Sequence, residues 1–327
     1  MANGTPAASI LRDEIARRGP IPLHRFMEVA LYHPDFGYYR RPRDPFGKEG
    51  DYFTAEQIQP VFGILIAARI RQLREEMGNP PDFAVVELGA GRAEMAEAFA
   101  GFPYFPVDVA AGELPARFSG VVFSNEFFDA LPVDAAVRRG DTFHEMRIDW
   151  REAGFVWAEG PPLAGPSAEY AERYLATVED GSWVEIDLEA LRWIERIAAR
   201  LDRGYVFTID YGYTTRELPR HPRGTLMSYL RHAAIEDILA DPGDRDITAH
   251  VPFTALQDHG ARLGLETVRF ERLARTLIAA GEPDSFAAAL APEAARSGLQ
   301  RSLQLKTLLF GMGETFRTLL QRKTGGQ

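Results

Sequence analysis

The sequence predicts an α/β protein with a parallel central sheet covered by helices on both faces. Three observations indicate this fold. Short apolar runs alternate with amphipathic stretches, the first run ends in a glycine-rich turn, and each run ends in polar residues. Buried parallel strands are near-continuously apolar, and such sheets bind ligands beyond the carboxyl ends of their strands. We therefore expect the functional residues at that edge.

The first 80 residues are predicted to form a helical segment with one long loop. Ser9 is placed to cap a first helix, and Pro22 opens a second. Residues Gly37 to Thr54 have no apolar period and several Gly and Pro residues, so we expect a long ordered loop that acts as a lid. The alternative is a passive surface loop. Apolar residues then repeat at helical spacing from Ile58 to Leu73.

Residues 81–327 are predicted to form the main domain. Its four sheet strands are FAVVEL from Phe83, YFPVDV from Tyr104, GVVFSNE from Gly120 and GYVFTIDYG from Gly204. A helix, AEMAEAFA, is expected directly after the first strand and its glycines.

Two further stretches of this domain differ from the strand and helix pattern. From about 133 to 160 the residues alternate around two turn clusters, which predicts an inserted region of antiparallel β hairpins. A polar segment from about 214 to 252 is expected on the substrate side. A last strand is predicted from Thr315 to Gln321.

The composition excludes several classes of function. The 327 residues include no cysteine, which removes disulfides, thiolate nucleophiles, Cys-ligated zinc and iron–sulfur clusters. We expect a cytoplasmic location on that basis. The net charge of −10 with no basic stripe predicts no nucleic-acid partner. No metal motif such as HExxH occurs, and the apolar stretches are too short for membrane insertion. The oligomeric state stays open.

A glycine-rich turn follows the first strand in the order Glu87, Leu, Gly89, Ala, Gly91. Asp108 lies 21 residues after Glu87, at the end of the next strand. Glycines let a ligand approach the backbone, and an acid at the second strand end can bind two ribose hydroxyls. The pattern predicts a nucleoside-type cofactor, and the alternative is an ordinary strand-to-helix turn.

Glu87 decides between the possible nucleosides. A carboxylate two residues before the first glycine would repel a pyrophosphate. S-adenosyl-L-methionine has no phosphate and carries an ammonium and a sulfonium group. The sequence therefore favours this cofactor over a dinucleotide, and the absence of GxxxxGK[ST] disfavours ATP.

The third strand ends in Ser124-Asn125-Glu126-Phe127-Phe128-Asp129. Carboxylates and aromatic faces together can hold a cationic substrate, so Glu126 and Asp129 are the catalytic candidates. The alternative is that Asn125 and Asp129 cap a following helix. Asp210 at the fourth strand end, and His232 and His250 in the polar segment, are weaker substrate-side candidates.

Beyond these patterns, the chain resembles a known family. The strings PLHRFMEVALYHPDFGYY, GDYFTAEQIQPVFG, VELGAGR, SNEFFDALPV, RGTLMSYLRH, DITAHVPFTAL and MGETFRTLL are similar to those of the MidA-like S-adenosylmethionine-dependent methyltransferases, in the family's order. The resemblance implies a Rossmann-like class I methyltransferase fold with a seven-stranded sheet. The mitochondrial members are protein arginine methyltransferases that assist assembly of respiratory complex I.

The resemblance also implies roles for individual residues. The positions expected around the cofactor are Glu87, Gly89, Gly91, Asp108 and Asn125, with Gly50, Asp51 and Thr54 in a loop that closes over it. Glu126 would lie near the methyl acceptor.

The chain departs from the family at three places. Ala93 stands where most members have glycine, Glu56 and Gln57 replace a Pro-Glu pair, and the chain between Phe99 and Ser119 is short. The shortening could change the substrate.

The predicted function is therefore a methyltransferase that uses S-adenosyl-L-methionine. The acceptor that the resemblance implies is an arginine of a respiratory-complex-type protein such as a complex I subunit. A small-molecule methyltransferase and a cofactor-binding assembly factor without transfer activity remain alternatives.

Overall fold

The computed structural model describes residues 4–41, 60–109, 111–152, 154–230, 233–235, 237–291 and 297–325. They form two compact units, each built from three stretches of the chain. The hairpin unit comprises 4–41, Phe128–Arg192 and Gly212–Ala255. The sheet unit comprises 60–127, Trp193–Tyr211 and 256–325.

The described residues form ten α-helices and sixteen strands, with uninterrupted runs of strands in the middle of the chain. The α-helices are α1 (Pro6–Arg18), α2 (Leu23–Tyr32), α3 (Val61–Glu76), α4 (Gly165–Tyr174), α5 (Leu188–Arg200), α6 (Phe253–Arg262), α7 (Leu273–Gly281), α8 (Ala287–Leu290), α9 (Ser297–Thr307) and α10 (Gly313–Thr315). The strands are β1 (Ile21–Pro22), β2 (Phe83–Leu88), β3 (Tyr104–Val107), β4 (Phe118–Asn125), β5 (Asp134–Arg139), β6 (Thr142–Arg151), β7 (Gly154–Pro162), β8 (Trp183–Ile186), β9 (Leu201–Asp210), β10 (Gly212–Tyr213), β11 (Met227–Leu230), β12 (Ala233–Ile235), β13 (Asp246–Thr248), β14 (Val251–Pro252), β15 (Leu265–Arg272) and β16 (Arg317–Lys323).

The sheet unit is built on six strands in the order β15-β16-β9-β4-β2-β3. Strands β3, β2, β4 and β9 are parallel, whereas β16 and β15 run antiparallel to their neighbours. This arrangement confirms the predicted α/β sheet. The described residues form one strand fewer than the seven that the family resemblance implies. After β3 the chain makes a bridge between Asp108 and Ala111 and then enters β4, which leaves β3 at the edge.

The apolar side chains of α3 account for much of the core of the sheet unit. This helix buries residues that recur every three or four positions and pack against the strands: Val61, Phe62, Leu65, Ile66, Ile70 and Leu73. The same cluster includes Phe123 of β4 and Phe207 of β9, whose rings lie 5.7 Å apart. The parallel strands therefore have an apolar cover, as their continuous apolar sequences predict.

The predicted helix directly after β2 is wrong. Residues 91–101 form consecutive turns, with short-range bonds such as Ala96 N–H to Ala93 O at 3.0 Å. Ala93 has a φ of +56°, a left-handed conformation that a right-handed helix cannot contain. Met95 and Phe99 of AEMAEAFA are nevertheless buried. The apolar period therefore predicted the burial of these residues correctly, although the helix it also predicted is wrong.

The hairpin unit contains an antiparallel sheet in which β6 pairs with β5, β7 and the short β1, and β5 also pairs with β8. This confirms the predicted antiparallel hairpins. Helices α1 and α2 contribute to a core with this sheet through residues such as Leu11 and Phe26. Thr5, rather than Ser9, caps α1, because its Oγ1 accepts the Ala8 N–H at 3.0 Å. Within the described ranges, no helix is both long and apolar enough to cross a membrane.

Candidate functional site

Four parallel strands of the sheet unit end at one edge, where most of the predicted site residues lie. Register places Leu88 beside both Val107 and Ser124, and Asn125 beside Ile209. The residues at or just beyond these ends are Glu87, Gly89, Gly91, Asp108, Asn125, Glu126 and Asp210. The edge therefore combines carboxylates, an amide and a glycine-rich loop in one place.

The glycine-rich loop after β2 is tied to the end of β3. Gly89 and Gly91 have φ values of +67° and +52°, which are accessible to glycine without strain. The Gly89 N–H donates to Val107 O at 2.9 Å, and the Gly91 N–H donates to Asp108 Oδ2 at 2.9 Å. The spacing of Asp108 from the loop thus brings its carboxylate onto the loop backbone, and this carboxylate is partly exposed.

Phe127 forms a wall against the same loop. A Cβ atom on Gly89 would lie 3.0 Å from Phe127 Cδ2, so a larger residue would push against the ring as well as strain the backbone. Phe127 in turn contacts Trp193 of α5, with ring centroids 5.1 Å apart. Sequence analysis treated Phe127 as one of two aromatic residues and missed Trp193, whose place in an amphipathic helix gave no functional signal.

Glu87 is fully buried in β2. The hydroxyl of Tyr104, on the neighbouring β3, donates a hydrogen bond to its Oε2. A buried carboxylate is costly unless it is hydrogen-bonded, so Tyr104 stabilises Glu87 in this position. Sequence analysis missed Tyr104, because a tyrosine that opens a strand resembles any other strand aromatic.

Asn125 and Glu126 form the end of the central strand β4. Asn125 is buried, and its Nδ2 donates to Glu126 Oε1 at 3.2 Å. Among the described residues its Oδ1 has no hydrogen-bond partner. A buried amide oxygen in this state is suited to accept a hydrogen bond from a ligand.

Glu126 has a strained backbone. Its φ is +50°, a conformation that costs a non-glycine residue about 1–2 kcal/mol. The Glu126 N–H donates to Ile209 O of β9 at 3.0 Å, which fixes the turn. No helix follows within residues 126–133, so the alternative role of Asn125 and Asp129 as helix caps is wrong.

Asp129 belongs to the hairpin unit, where it is buried and its carbonyl accepts the Ala249 N–H at 2.9 Å. Asp210, of the sheet unit, is also buried at the end of β9, and its Oδ1 accepts the Tyr211 N–H at 2.9 Å. The pairing of Asp129 with Glu126 in catalysis stays a prediction.

His250 lies in the hairpin unit next to a group of buried ionisable residues. Burial, and then the neighbouring His221, lowers the pKa of His250 to about 4, so the imidazole is neutral near pH 7. Its backbone N–H donates to Thr225 Oγ1 at 3.0 Å. Thr225 also donates to Glu185, whose pKa is raised by burial, through its N–H at 2.7 Å and its hydroxyl at 3.0 Å.

Four of the predicted site residues, Gly50, Asp51, Thr54 and His232, lie outside the described residues, as do Glu56 and Gln57. In the part of the chain that the structure describes, no three His, Asp or Glu side chains are grouped as metal ligands.

A family model matches residues 103–271, more than half of the chain, and is described as "Putative S-adenosyl-L-methionine-dependent methyltransferase". The chain belongs to this methyltransferase family. The match includes Asp108, Asn125 and Glu126. It begins after the glycine-rich loop.

Solved structures agree with this membership of the methyltransferase family. A protein from Burkholderia thailandensis, crystallised with S-adenosyl-homocysteine bound, is 30% identical, with a TM-score of 0.86 over 97% of this chain and 91% of that chain. A second crystal structure from the same organism, described as native, has a TM-score of 0.79 at 30% identity and the same coverage. The fold is that of class I methyltransferases, and S-adenosyl-L-methionine is the cofactor.

Curated relatives include proteins named protein arginine methyltransferase NDUFAF7. The Drosophila melanogaster homolog is 27% identical, over 75% of this chain and 68% of its own length. The Homo sapiens protein is 26% identical, over 77% of this chain and 68% of its own length. Both are named mitochondrial, which contradicts the expected cytoplasmic location. That expectation rested on the absence of cysteine, which reports a reducing environment and cannot separate one reducing compartment from another.

The observed edge of the sheet fits this methyltransferase cofactor. Asp108, on the loop backbone, has a partly exposed carboxylate, which suits hydroxyl donors. The buried Asn125 Oδ1 suits a cationic amine. The edge presents mainly hydrogen-bond acceptors, which suits a cofactor that carries an ammonium group and ribose hydroxyls.

Proposed function

We propose that the protein transfers the methyl group of S-adenosyl-L-methionine to an arginine side chain of a protein, and that Glu126 orients the acceptor guanidinium. The observation that carries this proposal is the strained Glu126 at the end of the central strand. Backbone strain persists where the surrounding structure enforces it, and it concentrates at functional sites. The names of the curated relatives support arginine as the acceptor.

The residues of this chain have distinct roles in the proposal. Asp108 binds the ribose hydroxyls, and Gly89 and Gly91 keep the backbone of the loop accessible. Asn125 accepts a hydrogen bond from the amine of the cofactor through Oδ1. When bound, the cofactor supplies an electrophilic methyl group on a positively charged sulfur.

An arginine acceptor is a poor nucleophile, and the Glu126 carboxylate can improve it. A guanidinium is protonated at pH 7 and its charge is spread over three nitrogens, so it has no free lone pair for attack. A carboxylate that accepts hydrogen bonds from two of the nitrogens fixes the plane of the group and draws positive charge toward them. The third nitrogen then becomes the better nucleophile. Fixing the acceptor in line for attack provides most of the rate advantage in such displacements.

The Asn125 amide maintains this geometry. Its Nδ2 donates to Glu126 Oε1 at 3.2 Å, while the Glu126 N–H is bonded to Ile209. Glu126 is therefore fixed by one hydrogen bond to its backbone and one to its carboxylate. Asp129 is a second carboxylate three residues later, and its participation is a sequence-based part of the proposal.

The test separates cofactor binding from transfer. Glu126→Gln preserves shape but removes the charge, so we expect S-adenosyl-homocysteine affinity within about twofold of the wild type and transfer of labelled methyl to lysate proteins reduced about 100-fold or more. Glu152→Gln is the matched control. Glu152 is an exposed glutamate with nearly the same φ, +48°, in the turn between β6 and β7.

The result also distinguishes the alternatives. Label in the metabolite fraction, with none in proteins, would indicate a small-molecule methyltransferase. Cofactor binding with no transfer to either fraction would indicate an assembly factor. Undiminished transfer by Glu126→Gln would reject the role of this residue.

A further inference from the structure

Three side chains of the sheet unit form a stack that begins at the glycine-rich loop. The Phe127 ring lies against Gly89 and meets the Trp193 ring edge to face, with an interplanar angle of 86°. The guanidinium carbon of Arg196 lies 4.9 Å from the centre of the Trp193 ring. Trp193 and Arg196 both belong to α5, so the stack connects that helix to the loop.

We propose that Trp193 is a positioning residue for the cofactor, because it holds Phe127 against Gly89 and thereby fixes the loop after β2. The inference rests on the assignment of this loop to cofactor binding. Trp193 has no assigned contact with the cofactor and acts through Phe127.

Phe127 needs such support. It follows Glu126, whose left-handed backbone sets the direction of the chain, and its side chain is only partly buried. A partly exposed aromatic ring has alternative rotamers available unless neighbouring groups exclude them. An edge-to-face partner favours one of these rotamers. Trp193 supplies this partner on the face of α5.

Arg196 stabilises Trp193 in turn. Residues three apart on a helix are neighbours, and a guanidinium over an indole is a favourable cation–π contact. The consequence for the loop is direct. Gly89 packs on Phe127, while two residues later the Gly91 N–H bonds to the Asp108 carboxylate. A displaced Phe127 would release Gly89 and so disturb the bond that orients Asp108.

The competing interpretation is that this stack is ordinary core packing. The hairpin unit provides a matched pair for comparison. The rings of Trp157 and Trp183 also meet edge to face, with centroids 5.1 Å apart and an angle of 79°, and both are partly buried. A variant of this pair controls for the general effect of losing one aromatic contact.

The experiment measures S-adenosyl-homocysteine affinity by calorimetry, together with thermal stability, for Trp193→Ala, Trp193→Phe and Trp157→Ala. Loss of an edge-to-face pair corresponds to about threefold to tenfold in an equilibrium constant. We expect Trp193→Ala to weaken affinity by that factor, Trp193→Phe to recover most of it, and Trp157→Ala to leave it unchanged. If Trp193→Ala does not fold, Trp193→Leu, which keeps apolar bulk without a ring, must show the same weakening.

Fluorescence gives an independent readout. Trp193 is the one tryptophan of four that falls in the sheet unit, since Trp150, Trp157 and Trp183 fall in the hairpin unit. We expect S-adenosyl-homocysteine to change the emission of the wild type and of Trp157→Phe, and to cause no change in Trp193→Phe.

Asp108→Ala distinguishes failure of the cofactor assignment of the loop from failure of the positioning role of Trp193. If Asp108→Ala weakens affinity while Trp193→Ala and Trp157→Ala both bind like the wild type, the loop assignment stands and the positioning role of Trp193 is overturned. If Asp108→Ala also leaves the affinity unchanged, both are overturned.

Discussion

Both units of the molecule bury polar side chains, but these side chains differ in their position and in their local features. The hairpin unit buries ionisable groups inside its own packing and shifts their pKa values, to about 7 for Asp187 and about 4 for His250, with burial the largest cause for both. The sheet unit places polar groups at strand ends, with strained or glycine-dependent backbone at Gly89, Gly91 and Glu126.

This difference changes how a functional site is recognised. Strongly perturbed pKa values are a common marker of active sites, but structural networks perturb them too. In the hairpin unit, Asp187 accepts the Ala190 N–H at the start of α5 at 2.9 Å, which is a structural role. At the edge that we propose as the site, the guide is a left-handed backbone at the end of a central strand, because the proposed methyl transfer depends on alignment.

The largest expected effect tests how rigid the sheet unit is compared with the hairpin unit. A Cβ on Gly120 of β4 would lie 1.9 Å from Ala84 O of β2, and neither backbone can move without breaking the sheet. We expect Gly120→Ala to lose more than about 4 kcal/mol of unfolding free energy or to fail to fold. Gly140→Ala, in the β5–β6 turn with open space around the Cβ, is the control and should lose about 1–2 kcal/mol. If chemical unfolding showed equal losses of unfolding free energy for the two variants, the expected difference between these two glycine positions would be wrong.

The next prediction concerns the buried acids of the hairpin unit. The folded-state pKa of Asp187 is raised, so the native protein holds a proton that the unfolded chain has lost, and stability falls as pH rises from about 4 to 7. Asp187→Asn keeps a helix-capping side chain and should increase the unfolding free energy at pH 8 by about 2–4 kcal/mol. Asp141→Asn, at an exposed position, is the control. An equal gain at pH 4 would show that ionisation is not the cause.

Asp108→Ala tests the cofactor assignment of the sheet edge. Charge-assisted hydrogen bonds contribute about 1.5–3 kcal/mol each, so loss of the carboxylate should weaken S-adenosyl-homocysteine binding at least about tenfold. Asp202→Ala, which removes the Arg117 ion pair near the opposite end of β9, should have no effect on affinity. Calorimetry measures both. An unaffected Asp108→Ala would move the ribose contact to another residue.

The smallest expected effect is at Ala93. Glycine relieves the left-handed strain there, so Ala93→Gly should stabilise the protein by about 0.5–1 kcal/mol in chemical unfolding. Ala96→Gly, in the same series of turns, gains no such relief and should destabilise by a similar amount. If both variants destabilise equally, strain at Ala93 is not significant.

The sequence predicted the parallel sheet well, for identifiable reasons, and the location of the methyltransferase site at its edge stays a prediction. Strands such as GVVFSNE are apolar throughout because both faces of the sheet are covered, and their polar ends therefore mark one edge. The 21-residue spacing of Asp108 from Glu87 also had a direct structural cause, since adjacent parallel strands bring Asp108 to the Gly91 N–H.

The failures came from features that local patterns do not encode. The period of AEMAEAFA predicted burial of Met95 and Phe99 correctly, but it did not reveal that the segment forms consecutive turns with a left-handed Ala93 at its start. Tyr104 and Trp193 were missed because their contacts depend on register and on helix position rather than on a motif. The division of the chain into two units, each built from three stretches of the sequence, likewise depends on tertiary contacts.

The most direct test of the central claim is to identify the amino acid that receives the methyl group. The purified protein would be incubated with lysate and S-adenosyl-L-methionine labelled on the methyl carbon, and the protein fraction would be hydrolysed and separated by chromatography. We predict label in methylated arginine, retained with Glu152→Gln and lost with Glu126→Gln. Label in another amino acid, or in small metabolites alone, would contradict the account.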